Sequence, residues 1–364
     1  EDTVKIARGE YEGTLEDATF VVFDIETTGL SVTEDKIIEI SAMKVKNHQI
    51  IEQYDTFVNP LQKLSAFTTK LTGITDSDVA NAKTIDEVMP SFKAFIEGSI
   101  LVAHNATFDM GHIHENLKNL DLYERDFPSI DTLQIARQVY GDKIKRFNLK
   151  AVAKLFKVEL KQHHRAEYDT RATTDIFLHM LTDLMKLGVK TFKDLNQLKQ
   201  FYPEYNPYKN AIPRHLSILV KTQKGLKNLY KIVSLANTDY FDKEPKLPIK
   251  ILDKHREGLL IGSGCMNSEF FEIALNQSES RLKTFAKYFD YIELQPLEDY
   301  LHIFESETTK KNVVTGALEV DRQKSEAMKE RLIRVMKKII KVANYLDIPV
   351  VATGDVHHIE QHAV

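Results

Sequence analysis

Four acids and a histidine in this chain of 364 residues have the types and spacing for metal-assisted chemistry. Asp24 and Glu26 stand two positions apart in Phe20-Val21-Val22-Phe23-Asp24-Ile25-Glu26-Thr27-Thr28-Gly29. A strand has a period of two, so both carboxylates point to the same side. Held side by side they repel unless neutralised, and a hard divalent cation such as Mg²⁺ or Mn²⁺ prefers carboxylate oxygen. Asp109 falls in the first turn of an expected helix, and Asp169 near the start of a long one, five residues after His164. Singly, Asp109 and Asp169 read as helix-dipole carboxylates, and His163 and His164 as surface residues. Together, each at an element end where α/β sheets gather their active groups, they form a set with one chemical purpose.

The elements that must position this set are legible in the pattern. Phe20 to Phe23 are apolar on both faces, which predicts a buried strand rather than an edge strand with one solvated face. The run stops at Thr27-Thr28-Gly29, where glycine permits a tight turn or close approach to a ligand. Residues 36–46 and 50–58 predict strands joined by a hairpin turn at Lys46-Asn47-His48-Gln49. Leu71 to Thr75 predicts a short helix end and a turn. Residues 84–97 predict a helix with a capping box from Thr84 and Glu87. Ile100 to Ala103 predicts a second short buried strand, with Asn105 as the cap of the helix that follows. Ser129-Ile130-Asp131-Thr132 predicts a helix start, residues 145–156 a basic helical stretch, and residues 162–187 a long helix. The sum is an α/β fold, a mixed sheet with helices packed on it.

Length predicts two domains. Hydrophobic residues make up 43% and charged residues 28%, as in soluble globular proteins. No apolar run approaches the roughly 20 residues of a membrane span, and no basic-then-apolar signal opens the chain. The one cysteine, Cys265, excludes an intrachain disulfide and fits a reducing cytosol, so a cytoplasmic location is expected. A net charge of −4 excludes coating nucleic acid by bulk electrostatics, so any such contact is local or goes through bound cations. Glu1 in first place suggests a piece of something longer. Residues 1–18 read as a linker or the remnant of a preceding domain, 19–190 as a first domain, 191–210 as a linker containing two prolines, and 211–364 as a second domain. In the last, strands at 216–220, 258–261, 288–294 and 350–353 alternate with amphipathic helices, the clearest at 322–346.

The set Asp24-x-Glu26, His104-Asn105-x-x-Phe108-Asp109 and His164-x-Ala166-x-x-Asp169 resembles the three motifs of the DEDDh (DnaQ-like) 3′→5′ exonucleases. Residues 22–31, Leu71-Thr-Gly-Ile-Thr-Asp76, residues 101–111 and Gln162-His-His-Arg-Ala166 resemble the exonuclease domain of PolC-type bacterial DNA polymerases III. The resemblance implies a ribonuclease H-like fold with a mixed five-stranded sheet. It implies that Asp24, Glu26, Asp109 and Asp169 hold two Mg²⁺ or Mn²⁺ ions, with His164 as general base. A neutral imidazole is the active form, so activity is expected to fall at acid pH. It further implies that Thr27, Thr28 and Gly29 lie against the terminal nucleotide, with Asn105 and Phe108 nearby, and that Leu71 and Ile74 contact or wedge the last bases. Plain core packing is the alternative for Phe108, Leu71 and Ile74.

Residues 211–364 resemble the C-terminal part of the PHP domain of the same polymerases, a partial βα barrel. The residues that carry this are Pro213-Arg214-His215, 225–229, 256–265, 291–296 and 353–357. His215, Cys265, Asp355 and His357 match positions that the family can use for metal. The family's leading His-x-His motif belongs before the exonuclease, and residues 1–19 contain no histidine. A scaffold is therefore expected here rather than an active phosphoesterase. The function implied is proofreading: release of nucleoside 5′-monophosphates from a single-stranded or frayed DNA 3′ end, in concert with further polymerase domains and with no membrane partner. Trimming of RNA 3′ ends and a non-catalytic polymerase scaffold are the alternatives.

Overall fold

The computed structural model describes residues 5–160, 165–202, 206, 208, 211–301, 303, 309–311, 318–320 and 322–354. The chain divides into two compact units, with the boundary between Ala211 and Ile212.

The first unit is built on strands β1 (Ala7–Arg8), β2 (Phe20–Thr27), β3 (Ile37–Lys46), β4 (Gln49–Phe57), helices α1 (Ala66–Thr72), α2 (Asp76–Val79) and α3 (Ile85–Ile96), strand β5 (Ile100–Ala103), helix α4 (Ala106–Asn119), strand β6 (Ser129–Asp131), and helices α5 (Thr132–Val139), α6 (Leu149–Phe156) and α7 (Ala166–Lys186). The strands form one sheet in the order β1-β6-β5-β2-β3-β4. β6, β5 and β2 run parallel, while β3 and β4 continue as an antiparallel meander. The β3–β4 turn has Asn47 and His48 at φ of 50° and 62°, the two left-handed residues of a tight hairpin.

The sheet has a helical layer on each face. Alternation along β2 divides its residues between two cores: Phe20 and Val22 face α5, α6 and α7, whereas Val21, Phe23 and Ile25 face α3 and α4. α3 starts with the expected capping box, Thr84 paired with Glu87.

Four expectations need correction. The sheet has six strands among the described residues, not five, because β1 joins its edge. Residues 1–18 are not a linker where described: Ile6, Ala7, Leu15 and Ala18 lie in the core with α7. Nor is the start of 191–210 a linker, since Phe192, Leu195 and Leu198 complete the same core. The Asn196 amide fixes both ends, accepting from Ile6 N and Ala7 N at 3.0 and 3.1 Å and donating to Ala7 O at 2.7 Å. Finally, Ser129–Asp131 is a strand rather than a helix start, and the helix begins at Thr132.

In the second unit, strands Ser217–Val220 and Leu259–Gly262 pair antiparallel, and Ile292–Leu294 and Val350–Ala352 pair parallel. A parallel bridge from Gly262 to Tyr291 links the two pairs. Gly225 and Gly258 meet backbone to backbone: a Cβ on Gly225 would lie 1.9 Å from Gly258 O, so only glycine fits. Helix Arg322–Tyr345 buries Leu332, Val335, Ile339, Val342 and Ala343 in this unit's own core, with Met328 and Met336 packed at its margin.

Candidate active site

The site is assembled where β2 outruns its parallel neighbour. β5 pairs with β2 only through Val22, and its chain turns away after Ala103. Asp24 and Glu26 therefore stand beyond the paired region, on the α7 face set by Phe20 and Val22. A bulge follows Glu26, ending the regular ladder at the point where the chain leaves toward Gly29.

α7 is brought onto this face by β3. Ser41 lies opposite Asp24 in the ladder and Glu39 opposite Glu26. Thr170 Oγ1 donates to Ser41 O at 3.1 Å. The buried Glu39 carboxylate accepts from Arg165 Nη2 at 3.2 Å and from Ala166 N at 3.0 Å. Glu39 thus satisfies an orphan amide at the helix start and an adjoining guanidinium together. Asp169 follows one turn later, buried, and its carboxylate meets those of Asp24 and Glu26. One oxygen from each of the three lies within 4.8 Å of the others.

Asp109 is not one of these three. It is 3% exposed, enters from α4 on the opposite helical layer, and takes the backbone amide of Ile25, between the two strand acids. Asn105 precedes α4 in the left-handed region at φ 78° and makes no side-chain cap, contrary to expectation. Its backbone N–H instead donates to Asp131 Oδ1 at 3.0 Å.

Crowding leaves an electrostatic record. Asp24 is held well above the usual carboxylate range by burial, and further by Asp109, Glu26, Asp169 and Glu39. Burial pushes Glu26 up to about 8, with Asp169, Glu39 and Asp109 adding and Arg165 opposing. Burial raises Asp109 to about 8 against the pull of two backbone amides. Carboxylates so placed favour protonation or a cation. An all-oxygen, acid-rich donor set suits a hard divalent ion, so the residues present fit the metal that the sequence implies.

The remaining expected residues divide. His104 is not a free base: its Nε2 donates to Phe147 O at 2.8 Å and its Nδ1 lies 2.9 Å from Thr132 Oγ1. A carbonyl only accepts, so Nε2 carries the proton, and burial lowers the ring's pKa in keeping with a neutral imidazole. Thr28 Oγ1 donates to Asp35 Oδ1 at 3.1 Å, and Asp35 packs so close that a Cβ on Gly29 would lie 2.6 Å from its oxygens. Thr27 Oγ1 donates to Gly29 O at 2.6 Å. Thr68 on α1 donates to Thr28 O, placing α1 beside this loop with Leu71 43% and Phe67 58% exposed. Ile74 does not share that exposure: it is 1% exposed, packed with Ile38 and Val79, and so is core rather than a wedge. Phe108 is half-buried and meets His112 edge to face at 4.9 Å. His163, His164, Asp355 and His357 lie outside the described residues. In the second unit His215 Nδ1 and Cys265 Sγ meet at 3.2 Å.

Sequence reasoning missed Glu39, Asp131 and Phe67. Glu39 carried a signal: it is the one acid in the apolar run Ile37-Ile38-Glu39-Ile40, and a buried acid requires a partner. Phe67 stands four residues before Leu71 on one helix face.

The family model described as "Exonuclease" matches residues 21–177, which include Asp24, Glu26, Asp109 and Asp169. Over 361 residues the chain is 41% identical to DNA polymerase III PolC-type of Streptococcus sanguinis, covering 99% of this chain and 23% of that protein. Residues 21–177 thus match an exonuclease family model, within a chain similar over nearly its whole length to part of PolC-type DNA polymerase III. A second such polymerase, from Oceanobacillus iheyensis, is 36% identical over 362 residues, 100% of this chain and 24% of its own. The chain therefore spans about a quarter of the length of the PolC-type relatives it matches. A PHP domain model matches residues 142–296, overlapping the end of the exonuclease match. Among solved structures, Exonuclease X in complex with 5′ overhanging duplex DNA is 26% identical, covering 49% of this chain and 98% of its own, with a TM-score of 0.38. Among the described residues no helix is long and apolar enough to cross a membrane.

Proposed function

We propose that this chain is the proofreading portion of a cytoplasmic PolC-type polymerase, removing nucleotides from DNA 3′ ends as 5′-monophosphates. The observation that carries the reading is the meeting of Asp24 and Glu26, from one strand, with Asp169, from a distant helix, in a single acidic cluster. Asp24, Glu26, Asp109 and Asp169 would hold two Mg²⁺ or Mn²⁺ ions, which when bound activate water and offset charge on the leaving 3′-oxygen. The chain's own residues orient and exclude. His164, as a neutral imidazole, takes the proton of the attacking water, and Arg165, the next residue in the sequence, is anchored on Glu39. The Thr27–Gly29 loop, with Asn105 and Phe108, takes the terminal nucleotide. Leu71 and Phe67 offer apolar surface to the bases that precede it. The segment from Ile212 onward serves as a scaffold.

The test is a primer–template with a 3′ mismatch, incubated with Mg²⁺ or Mn²⁺. Wild-type protein should release 5′-mononucleotides, the mismatched one first, and Asp24→Ala protein should release at least a thousandfold less. Digestion persisting in that variant would place the chemistry elsewhere. Clear preference for an RNA oligomer would replace proofreading with RNA trimming.

A further inference from the structure

The basic stretch around α6 has no part in the chemistry above. From Lys143 to Lys157 the chain carries six cations and no acid, in a protein with 49 basic and 53 acidic residues. All six, Lys143, Lys145, Arg146, Lys150, Lys154 and Lys157, are exposed. α6 buries Leu149, Val152 and Ala153, leaving Lys150, Lys154 and Lys157 along the opposite face at intervals of four and three. Like charges at that spacing destabilise a helix. Among the described residues no carboxylate pairs with Lys145, Arg146, Lys150, Lys154 or Lys157 to offset this. A groove of about 570 Å³ opens between them, lined by Ile144, Lys145, Arg146, Ala151, Lys154 and Leu155. The stretch is tied to the acid site through Phe147, whose carbonyl accepts from His104 at 2.8 Å, two residues before the helix that carries Asp109.

We propose that this surface carries the phosphodiester backbone of the substrate strand upstream of its 3′ end. The inference rests on the exonuclease reading and extends it from the reacting nucleotide to the strand behind. A chain of net charge −4 cannot gather nucleic acid by its overall field, so a local row of cations must do so. Proofreading any sequence requires contacts without base preference, and phosphate contacts have that property. Within α6, Lys150 and Lys154 stand four residues apart, about 6 Å along the axis at 1.5 Å per residue, and Lys157 at the C-cap continues the row, so successive cations can meet successive phosphates of one strand.

The test compares two substrates in wild-type protein and a Lys145→Gln/Arg146→Gln/Lys154→Gln variant. One is a 12-nucleotide oligodeoxythymidylate; the other is the p-nitrophenyl ester of thymidine 5′-monophosphate, which has no upstream strand. The variant should lose about tenfold or more in kcat/KM on the 12-mer. Its dependence of log kcat/KM on log salt should flatten by about 2, three charges at about 0.7 each. Hydrolysis of the ester should stay within twofold. An unchanged 12-mer rate and salt slope, or equal loss on both substrates, would overturn the proposal while leaving the exonuclease reading intact. Wild-type protein that cleaves neither substrate would overturn both.

Discussion

Asp24, Glu26 and Asp109 are each held in a state that ordinary carboxylates avoid near neutrality. Glu26 and Asp109 titrate at about 8, both chiefly through burial. A carboxyl whose folded pKa lies above its unfolded value stabilises the fold fully below the unfolded pKa, and that contribution is lost as pH rises through the folded one. For Glu26 the window runs from about 4.5 to about 8. Metal-free protein should therefore lose several degrees of Tm between pH 5 and pH 8, and divalent cation should restore more at pH 8 than at pH 5. Asp24→Asn should raise the metal-free Tm at pH 8 while abolishing cleavage. Calorimetry in EDTA checks both, and a Tm flat with pH, or lowered by Asp24→Asn, would contradict the repulsion. The four acids were legible because period and position marked them. Glu39 was not, since Arg165 stands 126 residues away in the chain. For Ile74 the sequence left base contact and core packing both open, because exposure depends on what covers a residue, here Ile38 and Val79.

Placement of Asp169 depends on how α7 is seated on β3. The seat consists of Glu39 against Arg165 and Ala166 N, and Thr170 against Ser41 O. Glu39→Ala leaves a helix-start amide and a half-buried guanidinium unsatisfied, at a cost of about 1–3 kcal/mol. Glu39→Gln keeps an acceptor for Ala166 N and should cost less. Because the change acts on the approach of Asp169, the concentration of Mg²⁺ or Mn²⁺ needed for half-maximal cleavage should rise in both variants, more in the alanine one. Denaturant unfolding and metal-dependence curves measure the two effects, and unchanged values in Glu39→Ala would refute the seat. Gly29→Ala presents a related case, since the new methyl would meet Asp35 at 2.6 Å. About 1–3 kcal/mol of stability should be lost, with cleavage falling as the Thr27–Gly29 loop shifts; thermal melts and cleavage rates report this. Long elements were legible from their period: β2, β3, α3 and α7 stand within a few residues of expectation. β1 and β6 were not, because two and three residues hold no period and are strands only through their neighbours.

Among the described residues, the buried clusters of the first unit share no residue with that of the second. One sheet and its two helical layers account for the described residues up to Ala211, and the other core lies entirely beyond Ile212. A chain ending at Ala211 should therefore unfold in one cooperative transition and keep the nuclease activity of the full chain within severalfold. Aggregation or loss of cleavage would show that the second unit is required. The boundary was only half legible, because a stretch rich in polar residues and proline reads as a linker even where Phe192, Leu195 and Leu198 are drawn into a core. On the proposed function, the acidic cluster takes a divalent cation and stays partly protonated until the ion arrives. Titrating Mn²⁺ into the metal-free protein at pH 7, in buffers of different ionisation enthalpy, measures this directly. Binding should be saturable, should release protons and should be lost in Asp169→Asn. Binding without proton release, or binding unchanged in that variant, would contradict it.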